Sequence, residues 1–313
     1  MSQYGPLAAS VVVVSDFASG SEQGRADVRR ALKALAAQDF DGPVEYILVE
    51  SESLRAEVPP DLIEILPSLR LVFSPSCSSY ELRNDGVREA RCELVGTLDA
   101  DCTPDPGWVR CMVESLGRHP DVAAVSGRTH YAGGTLLSRL AGAIERSYVD
   151  GDTSGATRHF STSAAGVRRS VYLEHPLPTS LGPFASRVQS EAMQRSGWRL
   201  LFDRRMRVTH AFYPGFFSTY HYNVGYGTVR VRLEDARLRH AWLARLGYLS
   251  VPVFFAGRLL NGCMRALRSW RDYDIRWYEL PGVFVVSIAG CLLEIPGMIR
   301  ALRGAPPPAT LFR

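Results

Sequence analysis

Val95-Gly96-Thr97-Leu98-Asp99-Ala100-Asp101-Cys102-Thr103-Pro104-Asp105-Pro106-Gly107-Trp108 is the stretch that decides the fold. A short apolar run bounded by turn-forming residues reads as a buried strand, which puts Asp99 and Asp101 at its carboxyl end. Open α/β sheets bind their ligands at that end. Residues two apart on a strand point the same way, so both carboxylates can address one point, and paired hard oxygens suit Mg2+ or Mn2+. The plainer alternative for Asp-x-Asp is a solvated turn with side-chain caps.

Upstream of this stretch the chain alternates strand and helix. The β-branched residues 11–14 read as a central strand that ends in Ser15-Asp16 and a loop through Gly20. Val28, Leu32 and Leu35 recur at helical spacing. Residues 44–49 form a second strand closing on Glu50-Ser51-Glu52-Ser53, and after Pro59-Pro60 a short helix at 61–66 leads to a third strand at 69–73. Residues 80–90 read as a helix carrying Arg83 and Asn84 into the acidic strand. Such alternation is the signature of an α/β fold with a parallel sheet. Gly20 and Gly24 make no dinucleotide-binding fingerprint. Downstream, residues 108–117 and 136–148 read as helices, 122–125 as a strand, and 151–158 as a loop of small polar residues.

The passage from Arg83-Asn84-Asp85-Gly86-Val87 to Asp99-Ala100-Asp101 resembles the core of the family 2 glycosyltransferases, which show R-N-x-G-I, then A-x-G-E, then an aliphatic strand closing in D-x-D. The resemblance covers roughly residues 11–230. It implies a GT-A fold, with a mostly parallel central sheet between helices, here followed by C-terminal hydrophobic and amphipathic helices. It further implies Mn2+ or Mg2+ as cofactor, a nucleoside-diphosphate sugar as donor and inversion at the anomeric carbon. Carried onto this chain, it makes Asp99, Asp101 and His210 the metal ligands, with Asp101 also counted as catalytic. Asp16 in the first loop, Glu50 on the nucleobase, and Arg83 and Asn84 near the diphosphate join Asp99 as donor contacts. The segment Y-H-Y-N-V-G-Y-G-T-V-R, residues 220–230, resembles the part that closes over the site and adds His221, Tyr226 and Arg230. Arg168 and Arg169 are either phosphate contacts or a solvated pair.

The family carries a Glu-Asp pair about a dozen residues before a G-[YW]-R strand start. Counting back from Gly197-Trp198-Arg199 lands on Ala185 and Ser186, neither of which accepts a proton at neutral pH. Glu191, the nearest carboxylate on the same predicted helix, becomes the candidate catalytic base, with Glu174 behind it. Two alternatives stand beside it: an acceptor that arrives ionised, as a lipid phosphate would, or a protein that binds without catalysing.

Of the 313 residues 46% are hydrophobic, ample for a core. The net charge of +4 is mild, and Arg crowds into the part after Asp203, which suits anionic lipid head groups. No zinc finger, RNA-binding aromatic motif or basic zipper argues for a nucleic-acid partner. The six cysteines show no C-x-x-C pair and read as reduced, in a cytosolic setting. No basic region followed by a long apolar run opens the sequence, so the catalytic part is expected on the cytoplasmic face of the inner (plasma) membrane.

Residues 246–260 are apolar but broken by Pro252, Gly257 and Arg258, and shorter than the roughly 20 residues of a spanning helix. The stripe Leu260, Cys263, Met264, Leu267 and Trp270 opposes Arg258, Arg265, Arg268 and Arg271, as in a helix lying at a membrane interface. Residues 280–299 form the only stretch of about spanning length, interrupted by Glu294 and Pro296. Two interfacial or re-entrant segments are therefore expected, with a spanning last helix or two buried helices as alternatives. The expected organisation is a GT-A domain at 1–230, a membrane-associated helical appendage at 231–304 and a disordered tail at 305–313. The expected function is sugar transfer to a membrane-associated lipid, polyprenyl phosphate or glycan acceptor; the competing one is a non-catalytic nucleotide-sugar-binding or scaffold protein.

Overall fold

The computed structural model describes residues 8–15, 22–149, 154–213, 215–235, 238 and 240–308. The chain runs β1 (Ala9–Val14), α1 (Glu22–Ala36), β2 (Val44–Ser51), α2 (Leu62–Ile65), β3 (Leu69–Ser74), α3 (Ser79–Glu89) and β4 (Leu94–Asp99). It continues with β5 (Cys102–Pro104), α4 (Trp108–Arg118), β6 (Val122–Tyr131), α5 (Leu136–Glu145), β7 (Gly155–Thr157), β8 (Ala164–Arg168), α6 (Arg169–Glu174), α7 (Ala185–Arg195) and β9 (Arg199–His210). Three long helices close it: α8 (Phe216–Glu234), α9 (Ser250–Ser269) and α10 (Leu280–Leu302).

Nine strands form one sheet in the order β3-β2-β1-β4-β8-β6-β9-β5, with β7 on the side of β9. The first four are mutually parallel, β6 pairs parallel with β9, and β8, β5 and β7 run antiparallel to their neighbours. The valine run of β1 follows from its central place. Val11 and Val13 enter the core under α1 and α4, while Val12 and Val14 enter the opposite core under α3, so both faces must be apolar. Trp108 and Met112 of α4 are fully buried against β4 and β8. Only glycine permits that approach, because a Cβ on Gly166 would lie 2.2 Å from Met112 Cγ.

The helical part is joined to the sheet domain more closely than the expected boundary suggests. α8 runs unbroken through residue 230 to Glu234 and packs lengthwise against α10. Their contact is close enough that a Cβ on Gly225 would meet Glu294 O at 2.0 Å. α9 packs on α5, with Leu140, Ala143, Ile144, Ala266 and Val283 sharing a small core. Two stretches, Ala241–Tyr273 and Trp277–Leu302, are long and apolar enough to cross a membrane by length and composition, with mean hydropathy 1.3 and 2.0. The sequence suggested only the second; α9 continues past Pro252 and Gly257 because Pro252 sits in its first turn, where no hydrogen bond is lost. Phe284, Val285, Ile288 and Leu292 form an exposed apolar face on α10. The start of the expected disordered tail is held: Tyr226 Oη donates to Ala305 O at 3.2 Å and Arg300 Nε to Pro306 O at 2.8 Å. Residues 309–313 lie outside the described residues.

Candidate active site

A cavity of about 810 Å³ opens where the carboxyl ends of β1 and β4 meet the helical part. Asp99, Asp101, Arg83 and His210 share its wall with Ser186, His221, Arg258 and Glu294. Asp99 is the last residue of β4, but Asp101 is not on that strand; Ala100 and Asp101 form the turn into β5. The backbone fixes this turn, with Asp99 N donating to Ser163 O at 2.8 Å and Ala100 N to Val14 O at 2.9 Å. β5 then pairs with β9 so that Cys102 lies opposite His210. That pairing, rather than strand periodicity, brings the imidazole to the carboxylates.

Several observations test whether the corner fits a divalent cation. Asp101 Oδ1 is buried without a hydrogen-bond partner. His210 Nδ1 lies 2.7 Å from Ala211 O, which only accepts, so Nδ1 carries the proton and Nε2 keeps its lone pair. Nε2 lies 3.4 Å from Asp101 Oδ2. Burial and then the charge of Arg146 push the His210 pKa down to about 3, so the ring is neutral. Burial and then the Asp99 charge push Asp101 up to about 7. One ligand atom each from Asp101, Cys102 and His210 lie within 4.8 Å of one another. Cys102 was not singled out from the sequence; burial, then Asp101 and Asp99, keep its thiol protonated, and a soft sulfur suits Mg2+ or Mn2+ poorly. The Asp101 carboxylate and the neutral His210 imidazole fit such an ion, with the Asp99 carboxylate lining the same cavity.

The other expected contacts divide into those at the corner and those elsewhere. Arg83 is buried, donates through Nη2 to Asp99 Oδ1 and keeps a buried, unpartnered Nε. Asn84 does not reach the cavity wall: it accepts from Tyr172 Oη at 3.0 Å and Leu177 N at 3.1 Å and donates to Leu177 O at 2.9 Å, pinning the loop after α6. Glu50 is buried behind Ser15, whose hydroxyl donates to it, and takes Ser51 N at 2.5 Å; Ser15, not Glu50, faces the cavity. Burial pushes the Glu50 carboxyl up in pKa against those two bonds. Asp16 lies outside the described residues. Arg230 is off the wall and pairs with Glu234 at 2.5 Å, one turn along α8. Arg168 donates to the carbonyls of Val122, Leu116 and His119, and Arg169 to those of Val87 and Arg88, so both are structural staples.

Ser186 lies on the wall where the family's acidic pair is expected, and Ala185 is buried beside it. Glu191 is not on the wall; its Oε1 takes Arg187 Nε at 3.0 Å. Glu174 is largely exposed on α6, also away from the cavity. His221, expected where the chain closes over the site, does line the cavity, but within a buried polar chain that the sequence reading did not assemble. Tyr131 Oη donates to Glu145 at 2.5 Å, His221 lies 3.0 Å from both Glu145 and Glu294, and Arg258 holds Glu294 with Nη2 at 2.8 Å. Its one legible signal was Glu294, a charge inside an apolar helix. Tyr226, expected at the gate, is instead buried between α8 and α10.

The fold is that of the GT-A glycosyltransferases. Residues 22–175, just under half of the chain, match Glycosyl transferase family 2. Among solved structures, the mannosyltransferase PcManGT from Pyrobaculum calidifontis, in complex with GDP-Man and Mn2+, superposes with a TM-score of 0.62 at 16% identity, covering 96% of this chain and 90% of that one. GalNAc-T7 with UDP, GalNAc and Mn2+ gives 0.51 at 13% identity, over 72% of this chain and 52% of that one. At such identities the likeness is one of fold. No curated protein sequence matches the chain.

Proposed function

We propose that this protein transfers a sugar from a nucleoside-diphosphate sugar to a membrane-associated acceptor, with inversion at the anomeric carbon and with Mn2+ or Mg2+ as cofactor. The observation that carries this reading is the corner where the orphaned Asp101 Oδ1, the Arg83-held Asp99 and the free Nε2 of His210 converge. Asp101, His210 and Asp99 would hold the ion, which supplies Lewis-acid stabilisation of the departing diphosphate. Arg83 and Arg146 are the buried cations on the same wall and donate to phosphate oxygens. Asp16, next to Ser15 in the sequence, is the proposed nucleoside contact. The ligands named for PcManGT and GalNAc-T7 support a nucleotide sugar with Mn2+. The exposed apolar residues of α9 and α10 support an acceptor drawn from a membrane, with both helices lying at its interface. The free cysteines suit the cytoplasmic face of the inner membrane.

A panel of nucleotide sugars with Mn2+, scored for nucleoside diphosphate release with and without lipid extract, tests the reading. Release by the native protein and its loss, together with Mn2+-dependent nucleotide binding, in a folded Asp101→Ala variant is the expected result. The absence of a carboxylate at Ala185-Ser186 favours one competitor, a nucleotide-sugar-binding scaffold. Tight Mn2+-dependent binding without release from any donor would establish that competitor.

A further inference from the structure

Cys102 takes no part in holding the donor, yet its sulfur lies within reach of two of the proposed metal ligands. Residues 102 and 210 stand directly opposite each other in the antiparallel β5–β9 ladder, so their side chains leave the same face of the sheet. Asp101 is tied to the same strand end, because Ala211 N donates to Asp101 O at 2.9 Å. One ligand atom from each of Asp101, Cys102 and His210 therefore falls within 4.8 Å of the others. Cys102 is fully buried and His210 nearly so, and the paired backbones hold both in place. His210 already has the arrangement of a metal-bound imidazole: Nδ1 donates to the Ala211 carbonyl at 2.7 Å, and Nε2 lies 3.4 Å from Asp101 Oδ2. Zinc–nitrogen and zinc–oxygen bonds at tetrahedral angles set two ligand atoms about 3.3–3.4 Å apart, so this separation fits one edge of a zinc tetrahedron. The second carboxylate oxygen, Asp101 Oδ1, is buried with no hydrogen-bond partner.

We propose that Asp101, Cys102 and His210 form a zinc site, at which Zn2+ displaces the Mn2+ or Mg2+ of the donor corner and inhibits transfer. An oxygen, a sulfur and a nitrogen make a mixed three-ligand zinc set, with the fourth position open to water or to one phosphate oxygen. Thiolate ligands select Zn2+ against Mn2+, and Zn2+ also stands above Mn2+ in the general order of divalent affinities. The ion takes the sulfur as thiolate, and the released proton passes to water. Octahedral Mn2+ or Mg2+ keeps room for two phosphate oxygens beside its protein ligands. Tetrahedral zinc on three protein ligands keeps room for one, which cannot clamp a diphosphate. The inhibition rests on the transfer reading above; the zinc site itself does not.

The probe is Co2+, which occupies zinc sites and reports a thiolate ligand by sulfur-to-metal charge-transfer absorption in the near ultraviolet. Cys77 is exposed and the other five cysteines are buried, so the full-length protein carries Cys77→Ser throughout. Co2+ titrated without nucleotide is expected to give the band, added Zn2+ to bleach it, and Cys102→Ala and Cys102→Ser each to remove it. Zn2+ affinity should fall in both variants by about a hundredfold or more, beyond the roughly 10- to 100-fold that loss of an outer-sphere partner costs. A near-native melting temperature shows that each variant is folded. Mn2+-dependent binding of GDP or UDP should stay within a few fold in the variants. Zn2+ should suppress that binding with Cys102 present and spare it in both substitutions. Co2+ bound without the band, a band that survives both substitutions, or no Co2+ binding at all would overturn the zinc site. Zn2+ held through Cys102 with Mn2+-dependent nucleotide binding unchanged would overturn the inhibition. Failure of both nucleotides to bind with any metal would sink the transfer reading alone, because the Co2+ spectrum needs no nucleotide.

Discussion

Glu191 shows how one neighbour can decide what a carboxylate does. It lies little more than a turn beyond Ser186 on α7, near enough in sequence to stand in for the family's acidic pair. Its side chain turns to Arg187 at 3.0 Å and leaves the cavity wall to Ser186 and the guanidinium. Glu191→Gln should therefore keep turnover within a few fold when the acceptor is a prenyl phosphate, since the nucleophile is already ionised. General-base help is worth about 10²- to 10⁴-fold, so a loss of that size with the phosphate acceptor would make Glu191 the base after all.

At the scale of elements, the contact between α8 and α10 turns on one histidine. Burial works to keep His221 neutral, but its hydrogen bonds to Glu145 from α5 and Glu294 from α10 outweigh that and raise its pKa. Arg258 from α9 completes the group by neutralising Glu294, whose own pKa is pushed up by burial but held below the usual carboxylate range by Arg258 and His221. A raised folded-state pKa stabilises fully below the unfolded imidazole value and is lost as pH rises through the folded value. Native protein should thus exceed His221→Gln in thermal stability most at about pH 6, by on the order of 3 kcal/mol, and the gap should narrow towards pH 9. A gap that widens with pH would refute the charged pairing. Of this only Glu294, a charge inside an apolar helix, was readable in the sequence, because the partners of His221 lie 76 and 73 residues away from it. By contrast the valine run of β1 and the apolar strand before Asp99 carried their burial in local pattern. The antiparallel insertion of β8 was opaque for the first reason: Ala164–Arg168 has too few apolar residues to betray its neighbours.

For the molecule as a whole, the proposed membrane contact and the packing that folds the chain use different faces of the same helix. α10 buries Val283, Ser287, Cys291, Glu294 and Met298 against the domain, so removing the helix would strip α8 of its cover and confound any localisation experiment. Substituting serine at Phe284, Val285, Ile288 and Leu292 together spares that buried face. The variant should keep nucleotide binding but fail to sediment with lipid vesicles that carry the native protein; unchanged sedimentation would show that this face does not meet the membrane. The β5–β9 pairing has a consequence in time as well as in space. The acidic half of the corner is laid down early in the chain, whereas the imidazole arrives only with the last strand, about a hundred residues later. Closing so long a loop carries an entropic cost that only the finished sheet offsets. A slip of one residue in that pairing would turn His210 to the opposite face. With His210 as a ligand of the proposed metal corner, cation-dependent nucleotide binding would report that the last strand has docked in register.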